Sequence, residues 1–339
     1  MAPRADAAFV LAPMDGMTRA SFRLICFEYG ADGATTEMIQ SLALGRAKRR
    51  LSDTFLEPML RFPGEGNLAA QLIGSNPEMM GASARKLCDL RRFDAIDINM
   101  GCPARKVVGS GNGSALMRDP EKAIAVMRAV RDNSGLPVRL KMRLGWDERT
   151  VTAPELARAA EELGFESVTV HGRTREQMYA GEVDAAAIRR IVESVHIPVF
   201  ANGGVTCARD ALTFLEKTRA AGVSIGRAAL KKPWIFEDIR RLRKGQAPRA
   251  HDARERIGVL VRLATLACMH RPEAVAISEM RKFASWLLMG LTGSEQVLSD
   301  LNGITALSAF SARMEAYLDA LLRSNDLSVH KVEENLDTR

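Results

Sequence analysis

Five cysteines occur in the chain, and one of them stands apart by its neighbours. Cys26, Cys88, Cys207 and Cys268 fall on Ala- and Leu-rich helical patterns or at their starts, where a cysteine is usually a small buried hydrophobe. Cys102 instead follows Asn99-Met100-Gly101 and precedes Pro103, which places a candidate reactive thiol just past an apolar run. A second run, Val138-Arg139-Leu140-Lys141-Met142-Arg143, carries a cation at every other position. Buried cations need anions, so Lys141 and Arg143 call either for structural ion pairs or for an anionic cofactor or substrate. Asn202-Gly203-Gly204 and Gly226-Arg227 end two further runs. Glycines there let backbone N–H groups approach phosphate oxygens, and Arg227 adds a charged fork, although each glycine pair alone also fits an ordinary turn. His171 stands beside Arg173 and Arg175, whereas His196, His251, His270 and His330 read as surface or packing residues. No two histidines have metal-ligand spacing and there is no Cys-x-x-Cys pair, so no metal site is expected.

These residues matter only if the fold brings them together. Short apolar, often β-branched runs at 9–13, 33–38, 68–74, 94–99, 138–143, 167–171, 198–202 and 222–225 alternate with helical patterns at 77–90, 120–133, 154–163, 184–195 and 206–216. Eight β-α units predict a TIM barrel, with a doubly wound sheet as the alternative. In a TIM barrel the active site lies at the C-terminal ends of the strands, where Cys102, Lys141, Arg143, His171, Asn202-Gly203-Gly204 and Gly226-Arg227 fall. Gly109-Ser110-Gly111-Asn112-Gly113 does not open a helix directly from a strand, as a dinucleotide fingerprint must, and reads as a mobile active-site loop. Past residue 245 the strand signals stop and apolar residues recur at helical spacing in 257–267, 277–288 and 307–322. The expected organisation is a catalytic barrel over 1–244, a linker at 245–250, a C-terminal helical bundle domain over 245–325 and a flexible tail over 326–339. The insertion at 42–67 has no decisive pattern.

With 339 residues, 47% of them hydrophobic and 26% charged, the chain is an ordinary globular protein rather than a disordered or low-complexity one. No apolar run reaches the roughly 20 residues of a membrane span, and the apolar stretch at 9–14 contains Pro13 and is followed by Asp15, so neither a span nor a secretory signal is expected. Widely spaced, odd-numbered cysteines fit the reducing cytosol and a cytoplasmic location. The formal net charge of +7 has a location: 240–282 holds eleven Lys and Arg against four acids, and the rest of the chain balances. Such a segment is either a solvated helix surface or the footprint of a nucleic-acid partner. A second basic run, Arg46, Lys48, Arg49 and Arg50, is open to the same two readings.

The motifs resemble those of the tRNA-dihydrouridine synthases, flavin-dependent enzymes that reduce uridine in RNA. The resemblance rests on Leu11-Ala12-Pro13-Met14 with Thr18, Phe22 and Arg23; Gln71-Leu72-Ile73-Gly74; Asp97-Ile98-Asn99-Met100-Gly101-Cys102-Pro103; Lys141-Met142-Arg143; His171-Gly172-Arg173-Thr174; Asn202-Gly203-Gly204; and Ile225-Gly226-Arg227-Ala228-Ala229 with Pro233-Trp234. Arg281-Lys282 and Trp286 point to the B-type bacterial branch, with Phe283 where that branch often has His and Gly204 where many members carry an acid.

The resemblance implies FMN as cofactor, NADPH or NADH as reductant and tRNA as partner, with no obligate protein partner. Ala12, Pro13, Met14 and Gln71 would hold the isoalloxazine ring, Lys141 and His171 would contact the flavin, and Asn202, Gly203, Gly204, Gly226 and Arg227 would bind its phosphate. Reduced FMN is anionic, so a cation such as Lys141 near its pyrimidine edge stabilises it. Hydride would pass from flavin N5 to C6 of the uracil while Cys102 protonates C5 as general acid. Asn99 and Arg143 would hydrogen-bond the uracil edge, and Arg281 and Lys282 would meet the RNA. The target base must leave its stack, which gives the basic segment a purpose. Two other classes share the barrel features: a flavin-dependent reductase or oxidase of a free pyrimidine, similar to dihydroorotate dehydrogenase, and a non-catalytic RNA-binding protein that kept the flavin fold. A ribosomal RNA target is a further alternative within the family.

Overall fold

Eight parallel strands close into a barrel in sequence order: β1 Ala8–Leu11, β2 Gly33–Gln40, β3 Asn67–Ile73, β4 Ala95–Met100, β5 Val138–Arg143, β6 Ser167–His171, β7 Val199–Asn202 and β8 Gly222–Ile225, with β8 pairing back to β1. The structure, a computed structural model, describes residues 6–47, 53–324 and 326–327. Lys48, Arg49 and Arg50 of the second basic run, His330 and most of the expected tail lie outside the described residues. The expected TIM barrel is therefore observed, and the doubly wound alternative is not.

A parallel strand covered on both faces buries nearly every side chain, and all six residues of β4 are buried. Successive residues still face opposite ways. On β5, Val138, Leu140 and Met142 are buried, while Arg139 and Lys141 line a cavity of about 340 Å³ shared with Ala8, Val10, Asp97, Thr169, Phe200 and Ser224. Small and polar inward residues leave this space inside the barrel, where large branched side chains would otherwise fill it.

Helices follow most strands and start where the sequence signals them. Asn76, Asp119 and Asp184 cap Pro77–Asp89, Pro120–Asn133 and Ala185–Ser194 by accepting from the backbone N–H of Met79, Lys122 and Ala187. Pro77 and Pro120 open their helices at positions that need no N–H donor. The insertion at 42–67 is folded: its described part includes Ser41–Arg46 and the short turns Asp53–Leu56 and Glu57–Met59. Arg23 ties it down, donating to Glu65 Oε2 at 2.7 Å with both side chains fully buried, and to the carbonyl of Leu60. A buried pair of this kind persists only with such complete hydrogen bonding.

The compact units divide after Gly226, ahead of the expected linker, so that Arg227–Lys231 and Ile235–Arg243 belong to the second unit. That unit is helical, with Ala253–Cys268, Glu273–Leu287, Ser294–Asp300 and Leu307–Arg323 as its remaining helices. Within it, Trp234 is buried and stacks on His251 at 4.5 Å, with the Arg256 guanidinium over its ring. Phe283 is buried against Trp286 in an edge-on pair, so the departure from His at that position is a packing choice. Among the described residues no helix is long and apolar enough to cross a membrane.

Candidate active site

At the C-terminal end of β4, Asn99 folds its side chain back onto the chain that follows. Its Oδ1 accepts from the N–H groups of Gly101 (3.0 Å) and Cys102 (2.9 Å), which turns the loop and sets the thiol at the end of the strand. Asn99 Nδ2 donates to Gln71 Oε1 at 2.8 Å, and Gln71 Nε2 donates to Asp97 Oδ2 at 2.6 Å. One hydrogen of Asn99 Nδ2 is left over, so this side chain can offer a substrate a donor but no free acceptor. From the other side, Ser114 donates through both its N–H and its hydroxyl to the Cys102 carbonyl. Gly113, at φ +60°, makes that approach possible: a Cβ there would lie 2.8 Å from the same carbonyl oxygen. The glycine-rich stretch expected to be a mobile loop thus folds into Arg105–Gly109 and the short turn Gly113–Arg118, hydrogen-bonded to the Cys102 loop.

Cys102 is half-buried, and burial pushes its thiol above the ordinary value, with Asp15 adding to the shift and Ala104, Arg143 and Lys141 opposing it. The thiol therefore keeps its proton at neutral pH, as a proton donor must. Lys141 Nζ donates to Asn202 Oδ1 at 2.9 Å, and Asn202 Nδ2 donates to the Ser224 carbonyl at 2.7 Å. Burial, reinforced by Arg143, brings Lys141 down to about 8, while Asp97 and Cys102 pull the other way. Burial likewise drives Asp97 up to about 6, against its bond from Gln71 and the nearby Lys141 and Arg139. Between these two values both groups are charged.

Arg143, expected at the uracil edge, is fully enclosed and donates to three backbone carbonyls: Gly101 (2.8 Å), Thr174 (2.8 Å) and Met178 (2.6 Å). Its role in this structure is to brace the Cys102 loop against the loop after β6. His171 is buried beside Gly203, whose φ of +113° and missing Cβ are both needed, since a Cβ would lie 2.7 Å from the imidazole. Gly204 follows at φ +72°. Two successive positive-φ residues make this a turn that glycine adopts without strain and other residues do not. Gly226 closes the first unit with only ordinary contacts awaiting a Cβ, from Met14 and Ala12. Arg227, the charged fork expected beside the glycines, opens the second unit. In that unit Arg281 is bound to Ser278 and Asn302, and Lys282 is exposed.

A cation on β5 and the remaining amide N–H groups of Gln71 on β3 and Asn202 on β7 are donors of the kind that a flavin ring and its phosphate would take. Among the described residues no group of three or more His, Cys, Asp and Glu side chains could hold a metal. A family profile described as dihydrouridine synthase matches residues 10–322. The chain belongs to the dihydrouridine synthase family. Similar relatives include a probable tRNA-dihydrouridine synthase of Rickettsia conorii, 34% identical and covering 94% of this chain and 95% of the relative. A second, from Rhizobium leguminosarum, is 40% identical over 82% of this chain and 84% of its own length. The tRNA-dihydrouridine synthase B of Pseudomonas putida is 36% identical over 91% and 90%.

Nothing local in the sequence announces Ser114 or the bracing role of Arg143, and Asp97 stands in a motif that assigns it no role. Asp97 had a signal: a lone acid inside a strand that is otherwise apolar must have a buried partner. Two members of the family's motif set turn out to be structural, Arg23 in the ion pair with Glu65 and Trp234 in the stack with His251.

Proposed function

We propose that this protein reduces the C5=C6 bond of uridines in tRNA to 5,6-dihydrouridine, using FMN and NADPH or NADH. The observation that carries the reading is a pair of hydrogen-bonded sets in one barrel of this family: Gln71, Asn99 and the Cys102 loop in one, Lys141 and Asn202 in the other. A bound flavin mononucleotide would supply the hydride that reaches C6 of the uracil. Lys141 offers a positive charge to the electron-rich ring, while Ala12, Pro13, Met14 and Gln71 line its place and Asn202, Gly203, Gly204 and Gly226 receive the phosphate. His171 backs the glycine turn. Asn99 presents its remaining N–H to a carbonyl-type oxygen of the base, and Cys102, protonated at neutral pH, delivers a proton to C5 as charge builds there. The exposed cations Arg240, Arg243, Lys244, Arg254 and Lys282 of the second unit supply the charge that an RNA backbone attracts. The odd, unpaired cysteines suit the reducing cytoplasm in which tRNA is modified.

The test is to incubate the purified flavin-loaded protein with NADPH and an unmodified tRNA transcript and to measure dihydrouridine by mass spectrometry of the digested RNA. Dihydrouridine in tRNA, with no turnover of free uridine or orotate, supports the reading. Turnover of the free pyrimidine would favour the small-molecule reductase, and product only in a ribosomal RNA fragment would move the substrate. No NADPH oxidation with any of them would leave an RNA-binding protein.

A further inference from the structure

Asp97 and Asn99 are the two polar side chains of a strand in which all six residues are buried, so each needs partners inside the protein. They share one. Gln71 receives from Asn99 on its oxygen and donates to Asp97 from its nitrogen. The polarity of this chain has no freedom. The backbone N–H groups of Gly101 and Cys102 can only donate, so Asn99 must turn its oxygen to them and its nitrogen toward Gln71. Gln71 must then offer oxygen to Asn99 and nitrogen beyond it, where only an acceptor completes the chain. A carboxylate at position 97 is that acceptor, and a charge-assisted bond makes it a strong one.

We propose that Asp97 is a positioning residue which, through the amides of Gln71 and Asn99, fixes the loop that carries Cys102. The role rests on reading Cys102 as the proton donor, but its test does not use that chemistry. A competing account makes Asp97 simply the counter-charge of Lys141. Asp97→Asn separates the two, because the amide oxygen still accepts from Gln71 while the charge is gone. Asp97→Leu removes both.

The measurement is the rate of Cys102 alkylation by iodoacetamide in the folded, flavin-loaded protein, followed by mass spectrometry, with the buried Cys26 as internal control. Asp97→Leu should speed Cys102 alkylation by about tenfold, the scale of one broken buried hydrogen bond, while Asp97→Asn stays near the unaltered rate. Cys26 should not change in either. Should Asp97→Leu fail to fold, Asp97→Ala removes the same acceptor with less bulk and must give the same acceleration. An unaltered Cys102 rate in the variant that folds, an Asp97→Asn rate as fast as Asp97→Leu, or a parallel rise at Cys26 would each overturn the assignment. Loss of the proton-donor reading would show elsewhere, in a Cys102→Ala protein that still reduces RNA.

Discussion

The ammonium of Lys141 on β5 donates a 2.9 Å hydrogen bond to Asn202 on β7, reaching past β6 between them. Asn202 is held in turn by its bond to the Ser224 carbonyl on β8, so the cation has a fixed place at the end of the barrel. That place is where the flavin reading needs positive charge. Lys141→Met should therefore weaken flavin retention by about tenfold or more, the scale of a hydrogen bond to a charged group. Because Lys141 loses its proton at about 8, flavin affinity of the unaltered protein should fall as pH rises through that value. Affinity of the variant should be flat over the same range. Fluorescence titration of the apoprotein with FMN checks both.

Glu37, near the end of β2, is buried with Arg19 Nη1 3.8 Å away, and its Oε1 has no hydrogen-bond partner among the described residues. Burial raises it from 4.5 to about 6 against the pull of Arg19, with Asp15 and Glu57 adding to the rise. The folded state thus holds the proton more tightly than the unfolded one. The contribution of this carboxyl is complete below about pH 4.5 and is lost as pH climbs through about 6. Glu37→Gln removes the dependence. Whatever constant offset the amide brings, stability of the variant relative to the unaltered protein should climb by about 2 kcal/mol across that window and then level off. Denaturant unfolding at a series of pH values reads the climb, and a flat difference contradicts the environment described for Glu37.

The eight strands were legible because parallel barrel strands are short apolar runs with β-branched residues, and the sequence marks their ends with Gly, Asn and Pro. Cys102 was legible for a related reason: Gly101 and Pro103 announce a turn, and turns at strand ends carry the chemistry of this fold. What stayed hidden depends on distant partners. Nothing local says that Arg143 on β5 will spend its donors on carbonyls of the loops after β4 and β6, or that Gln71 will lie between Asp97 and Asn99. The unit boundary after Gly226 was also out of reach, since Arg227–Lys231 and Ile235–Arg243 have the same helical pattern as the barrel's own helices and only their packing assigns them.

In the second unit Arg254 and Lys282 are exposed, whereas Arg281 is hydrogen-bonded to Ser278 and Asn302. Arg254→Glu and Lys282→Glu should weaken tRNA binding and flatten the dependence of log K on log salt by about 0.7 to 0.9 for each phosphate that is no longer neutralised. Arg189 and Arg190, on Ala185–Ser194 of the barrel, pair with Glu193 and Asp184 and serve as controls. Reversing them should leave both affinity and slope in place. Equal slopes from the two sets would return the basic segment to an ordinary solvated surface.

The most direct measurement follows flavin absorbance in a Cys102→Ala protein. Bound FMN should be reduced by NADPH at the unaltered rate, because the thiol takes no part in that half of the cycle. Reoxidation by tRNA should slow by about 10²- to 10⁴-fold, the scale of a missing general acid. RNA-dependent reoxidation at the unaltered rate would contradict the account, removing Cys102 from the chemistry and with it the reason for the hydrogen bonds that hold its loop.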